Sequence, residues 1–278
     1  MGFGGNYKVR ERGLFDPKAK EPFRISRSKI DLFVECPRCF WLDQRFGVKR
    51  PDMPTFSLNN AVDELLKREF DTHRLDGTKH PLMEAYGVDA VPFVHKELDS
   101  WRDALRHGIE YIHQETNLSV RGGIDDVWVT PKKELLVVDY KATSKRKAIE
   151  LYDSYKRQVE VYQWLFRRNG FKVSDTAYFV YVNANADAKA FDAKLEFTVQ
   201  LIPHKGDDSW IEGTLMKIKK TLMSDEIPKT GECDYCPYRE AAGRTLVRQT
   251  QDRKLKTKNP DKKGKTEKKE YEKTAPLF

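Results

Sequence analysis

Residues 122–129, GGIDDVWV, the polar turn TPKKE at 130–134, and residues 135–144, LLVVDYKATS, decide how this chain is read. Two apolar, β-branched runs flanking a turn with Pro131 and two lysines predict a β-hairpin. Side chains alternate along a strand, so Asp139 and Lys141 share one face of the second strand and Tyr140 takes the other. A carboxylate beside an ammonium at the end of an otherwise apolar strand is costly to place near a core. It marks a candidate site. The helix predicted over SYKRQVEVYQWLFRRNG, closed by Gly170, sets Tyr155, Gln158 and Tyr162 on one face at i, i+3 and i+7.

Reading outward, residues 1–22 alternate basic residues with Gly and Pro and predict an extended arm. SKIDLFVEC at 28–36 puts Ile30, Phe33 and Val34 on one helical face, with Ser28 and Asp31 as a capping box. Pro37 restarts the helix and leaves Cys36 and Cys39 one turn apart. SLNNAVDELLKREFDTH is helical, with Ala61, Val62, Leu65, Leu66 and Phe70 as its apolar face. LDSWRDALRHGIEYIHQ also predicts a helix, from Trp101, Leu105, Ile109 and Ile112. TAYFVYVNA and LEFTVQLIPH read as strands, and DSWIEGTLMKIKKTLMS as an amphipathic helix.

With 278 residues, 39% of them hydrophobic and 12% aromatic, the chain can bury a sizeable core. Its net charge of +8 is concentrated: residues 245–278 hold 11 Lys/Arg against 5 Asp/Glu. That Lys-rich segment has too little apolar surface to offset ordering entropy, and disorder is expected there. Its lysines suit either a solvated tail or phosphate binding. No apolar run is long enough to span a membrane and the N-terminus has no apolar signal core, so the expectation is a soluble, cytoplasmic protein with no membrane partner. The four cysteines form two Cys-x-x-Cys pairs, Cys36/Cys39 and Cys233/Cys236, a metal-binding pattern in a reducing compartment. The six histidines are scattered, none at ligand spacing.

Asp125 on the first strand and Asp139 on the second can share a hard divalent cation, Mg²⁺ or Mn²⁺, with the Tyr140 carbonyl as a further ligand. Lys141 then lies where an ammonium stabilises charge developing on a phosphate. These are parts for phosphodiester hydrolysis.

The string G-x-I-D at 122–125, D-Y-K at 139–141 and Q-x-x-x-Y at 158–162 resembles the PD-(D/E)xK nuclease superfamily, in its RecB-like branch of recombination and CRISPR spacer-acquisition nucleases. The resemblance implies a restriction-endonuclease-like α/β fold, a mixed β-sheet core flanked by helices, over residues 23–244. It implies Asp125 and Asp139 as metal ligands, Lys141 as the catalytic lysine, and Gln158 and Tyr162 as active-site or substrate-contacting residues. The implied activity is Mg²⁺- or Mn²⁺-dependent hydrolysis of DNA, single-stranded or at ends. The alternative is a non-catalytic nucleic-acid-binding or scaffold module of a repair, recombination or CRISPR complex. DNA is the implied partner, together with a helicase or other processing subunit, because no helicase motif is present.

Members bearing an iron–sulfur cluster have one cysteine in a context like CPR-x-F-W-L and three near the C-terminus. Here the pairs are two plus two, which implies a 4Fe-4S cluster by family context and equally fits a Cys₄ zinc site. Either would staple the N- and C-terminal parts. Where the branch carries a histidine in its early helix, this chain has NNAVDELLK; Asp63 takes that position as a metal ligand, or Glu64 if the register shifts by one.

Overall fold

The computed structural model describes residues 7–51, 57–146 and 149–258. The chain divides into two compact units, Met1–Glu232 and Cys233–Phe278.

Strand β6 (Leu135–Thr143) organises the first unit, and its sequence shows why. Its run of apolar residues is buried on both faces, as a central strand requires. Leu135 and Val137 enter one core with Val159 and Tyr162, whereas Leu136, Val138 and Tyr140 enter a second with Phe70 and Trp128. β6 pairs antiparallel with β5 (Asp126–Val129), Asp126 opposite Val138, which confirms the hairpin. On its other side it runs parallel to β7 (Thr176–Ala184), and β7 pairs antiparallel with β8 (Phe197–Lys205). With β2 (Val91–Pro92) on β5, the mixed sheet is ordered β2-β5-β6-β7-β8. A second mixed sheet, β1-β4-β3, joins β1 (Phe23–Ser26), β4 (Leu118–Gly122) and β3 (Ile109–His113).

Helices α1 (Arg27–Glu35), α6 (Asp153–Arg168) and α7 (Trp210–Met223) supply Ile30, Phe166 and Ile218 to the first core. Helix α3 (Ser57–Asp76) and the short α4 (Pro81–Ala85) supply Phe70 and Met83 to the second. Helix α2 (Pro37–Phe46) does begin at Pro37, in the first turn. This is the restriction-endonuclease-like α/β architecture, two mixed sheets flanked by helices.

Several local expectations are corrected. The helix expected over 98–114 is the short α5 (Leu98–Arg102) followed by strand β3. Gly108, at φ 86°, breaks the helical path, and Ile109–His113 pairs with β4 instead. Four apolar residues at spacings of four and three imitate a helix, yet Leu105 is 89% exposed. Leu65 likewise points to solvent from α3. The Ser28–Asp31 capping box does not form: the N-cap is Ser26, two residues earlier, and Asp31 instead accepts from Arg157 Nε on α6 at 2.6 Å. The N-terminal arm is extended but not loose, since Phe15 is buried and Arg10 donates to the Asp43 carbonyl at 2.8 Å.

In the second unit, α8 (Tyr235–Lys258) runs through the boundary expected at residue 244. The reason is local: Arg, Lys, Leu, Gln and Ala are good helix formers and need no buried face to favour a helix. Residues 259–278 of the expected tail lie outside the described residues.

Candidate active site

Alternation along β6 brings Asp139 onto the face toward α6, completely buried, with Lys141 two residues further. The Lys141 ammonium is in contact with Asp139 Oδ2, yet neither Asp139 oxygen has a hydrogen bond of proper geometry. Burial drives the Asp139 carboxyl up to about 7; Lys141 opposes that rise and Asp125 adds to it. Burial also works against charge on Lys141, but Asp139 and Asp125 outweigh it and raise the ammonium above its ordinary value. Lys141 is therefore a cation at neutral pH.

The hairpin sorts the two adjacent acids into different jobs. Asp126 opens β5 and is fully buried. It accepts from Tyr140 Oη at 2.7 Å, from Arg102 Nη2 at 3.1 Å, from its neighbour's amide (Val127 N) at 2.8 Å and from Arg74. Asp125, in the bend just before β5 and not on the strand, is left facing the cleft. Its Oδ2 accepts the Tyr140 amide at 3.0 Å, and Arg102 Nε holds its carbonyl at 3.0 Å. Arg102 is itself fixed by Asp71 through two bonds of 2.8 and 3.0 Å. A buried charge network thus anchors the backbone from which Asp125 projects, with Arg74 Nε and Nη1 its two nitrogens that make no hydrogen bond.

From α3, Asp63 lines the same cleft while Glu64 is exposed. Burial raises the Asp63 carboxyl, with Lys67 opposing and Asp125 adding. Lys67 Nζ lies 2.7 Å from Asp63 Oδ2 and 3.6 Å from Asp125 Oδ1. One ammonium thus touches both carboxylates. Opposite, Lys141 Nζ donates weakly to Gln158 Oε1 at 3.5 Å, and Gln158 Nε2 donates to Tyr162 Oη at 3.2 Å. Lys141 also stands 4.8 Å from the Tyr155 ring centroid, within cation–π range.

Gly122 explains the first position of the motif. A Cβ there would fall 2.5 Å from Tyr162 Cε1, so the tyrosine ring packs directly on the glycine. Tyr162 is 2% exposed and supports Gln158 from behind, without lining the cleft as expected. The cleft, about 350 Å³, is bounded by Asp63, Asp125, Lys141, Gln158 and also Arg27, Asn59, Asn60 and Tyr155. Sequence reading missed Arg27, Lys67 and the two asparagines as site residues, because a surface-type residue on an amphipathic helix carries no local signal of what it faces.

The donor set fits a hard divalent cation. Asp139 offers two buried oxygens that make no well-formed hydrogen bond, with only the Lys141 contact at Oδ2, a condition that a ligand resolves. Asp125 and Asp63 open on the same cleft.

These features are those of a family of nucleases. The sequence pattern of the PD-(D/E)XK nuclease superfamily matches residues 24–241. The chain belongs to that superfamily. No curated protein matches it. Nine solved chains do, among them one described as "Crystal structure of SSO0001", 14% identical, covering 78% of this chain and 82% of its own, at a TM-score of 0.36. That likeness is too low to transfer detail. The match to the PD-(D/E)XK nuclease superfamily spans the hairpin that carries Asp125, Asp139 and Lys141.

Four cysteine sulfurs, those of Cys36, Cys39, Cys233 and Cys236, lie within 4.8 Å of one another and are placed to bind a metal. Cys36 precedes α2 and Cys39 lies in its first turn. The Gly231 amide donates to Cys36 Sγ at 3.4 Å, and Arg239 Nη2 to Cys236 Sγ at 3.5 Å. Burial disfavours the Arg50 cation, but hydrogen bonds to Cys39 and Glu35 more than compensate and raise its pKa. Cationic donors beside sulfur favour the thiolate, the form that binds metal.

Proposed function

We propose that this protein is a Mg²⁺- or Mn²⁺-dependent deoxyribonuclease that hydrolyses phosphodiester bonds, acting on single strands or at DNA ends, and that it belongs to the RecB-like branch. The observation that carries the reading is Asp139: a fully buried carboxyl in contact with Lys141, whose own side chain lines a cleft that two further carboxylates, Asp63 and Asp125, also line. Asp125, Asp139, Asp63 and the Tyr140 carbonyl would hold the cation, which would supply Lewis-acid stabilisation of a phosphate oxygen. Lys141 presents its ammonium to the negative charge that develops on the phosphoryl oxygens as the bond breaks. Gln158, braced by Tyr162, and the Tyr155 face keep that ammonium aimed into the cleft. Arg27, on the cleft wall, offers a fork for a flanking phosphate.

The thiolates form a separate, structural centre in this reading. A tetrahedral zinc ion with bonds of about 2.3 Å sets its sulfurs about 3.8 Å apart. The two-plus-two thiolate set fits such an ion, and by family context it fits a 4Fe-4S cluster. Stoichiometric iron with absorbance near 400 nm in anaerobically purified protein would establish the 4Fe-4S cluster, and stoichiometric zinc in a colourless preparation the Cys₄ zinc site. A helicase or other processing subunit would supply any unwinding.

The deciding experiment is cleavage of single- and double-stranded DNA with Mg²⁺ or Mn²⁺ by wild type, Asp139→Ala and Lys141→Ala. Metal-dependent cutting by wild type alone is expected. Equal cutting by the variants, or none by wild type, would replace the catalytic reading with the non-catalytic binding one. One observation favours that second reading: Lys67 already neutralises Asp63 and Asp125 without a metal.

A further inference from the structure

The cleft does not end at the acids. Beyond Ala142 it continues into a cavity of about 430 Å³. The two share Asn59, Val62 and Ala142 as lining residues. Their chemistry differs sharply. The first is walled by Arg27, Lys141, Asp63 and Asp125, whereas no charged residue among the described ones lines the second.

Leu58, Leu195 and Phe197 give the second cavity its apolar walls, and they are 54%, 38% and 37% exposed. Thr143 and Ser144 add hydroxyls on one side. Lys145, next in the chain, lies 4.2 Å from the ring centroid of Tyr152, which is itself half exposed.

We infer that this uncharged annexe seats the unpaired base next to the scissile phosphate, and that the enzyme therefore takes single-stranded DNA or frayed ends. The described lining of the annexe offers a phosphate no cation, so a phosphate is less favoured there than in the charged cleft. A nucleobase has an apolar face to stack and polar edges for hydroxyls. The spacing agrees. From Lys141 to Thr143 along the strand is about 7 Å at about 3.3 Å per residue, a length matching the step from a phosphate to the adjoining base. A duplex offers neither face of its bases, because each is already stacked and paired. The inference rests on the nuclease reading for the phosphate end of the trough only.

The test measures binding with EDTA present, so that cleavage plays no part. Fluorescence anisotropy compares a labelled single strand, the same strand with abasic sites, and a blunt duplex, using wild type, Phe197→Ala and Phe197→Trp. Phe197→Ala should weaken binding of the intact single strand about tenfold, as loss of one stacking platform does, and leave the abasic strand and the duplex within about twofold. Phe197→Trp should restore single-strand binding. Equal melting temperatures for the three proteins verify folding. The inference is overturned if wild type binds abasic and intact strands alike, if Phe197→Ala weakens all three ligands equally, or if it weakens none. Failure of the nuclease reading is read separately: base-dependent binding without metal-dependent cleavage would remove the catalysis and keep the base site, and cleavage with no effect at Phe197 would do the reverse.

Discussion

Substituting Asp139 by Asn isolates the most costly group in the site. In the metal-free protein burial holds this carboxyl at about 7 against an ordinary 3.8, with Lys141 opposing and Asp125 adding to the rise. The rise corresponds to on the order of 4 kcal/mol at about 1.4 kcal/mol per pH unit. Between those pH values the folded protein holds a proton at Asp139 that the unfolded chain has released. The stability this contributes is complete below pH 3.8 and is lost as pH rises through about 7. Asn cannot titrate. Urea unfolding in EDTA at half-unit intervals from pH 5 to 8 should show wild type losing stability relative to Asp139→Asn, by up to about 1.4 kcal/mol per pH unit in the middle of the window. Comparing slopes cancels the titration of every other group and any constant cost of leaving Lys141 without its partner. Bound Mg²⁺ or Mn²⁺ prefers the ionised carboxylate, so metal should stabilise wild type more at pH 8 than at pH 5 and release a proton on binding near pH 6. Parallel pH profiles for the two proteins would refute the assignment of a desolvated carboxyl at this position.

Further outcomes follow from other contacts. Lys141→Ala should reduce the cleavage rate by about 10² to 10³, the range for losing one preorganised electrostatic group, with KM changed far less. Asp126→Ala should lower stability by about 3–5 kcal/mol in denaturant titrations, because it takes the carboxylate partner from the buried Arg74 guanidinium and the Tyr140 hydroxyl and one of the partners from Arg102. Gly122→Ala should cost about 1–3 kcal/mol by overpacking against Tyr162, and should slow cleavage because that tyrosine braces Gln158. Cys36→Ser should lower the melting temperature and the bound metal together; unchanged metal content would count against a four-thiolate centre.

Much of this architecture was legible because the informative patterns are local. The period of two along residues 135–141 placed Asp139 and Lys141 on one face irrespective of what lay opposite. Pro37 began a helix because its own ring geometry suits a first turn. The α3 register was ambiguous between Asp63 and Glu64, since neighbouring acids on one helix look alike until something packs against one of them. Residues 98–113 misled for a related reason: their spacing fits a helix, and only pairing with β4 and the break at Gly108 make a strand of the second half.

The sequence by itself determined the hairpin, the order of acid, acid and lysine, the helix carrying Gln158 and the pairing of cysteines, all set by periodicity, steric rules or short spacing. The tertiary structure decided which acid does what. Asp125 and Asp126 are chemically the same residue in adjacent positions, and they differ only because Arg74, Arg102 and Tyr140, remote in the chain, converge on one and leave the other to the cleft. Desolvation, which sets the charge state of Asp139, comes from everything packed around a group and is written in no single stretch of sequence.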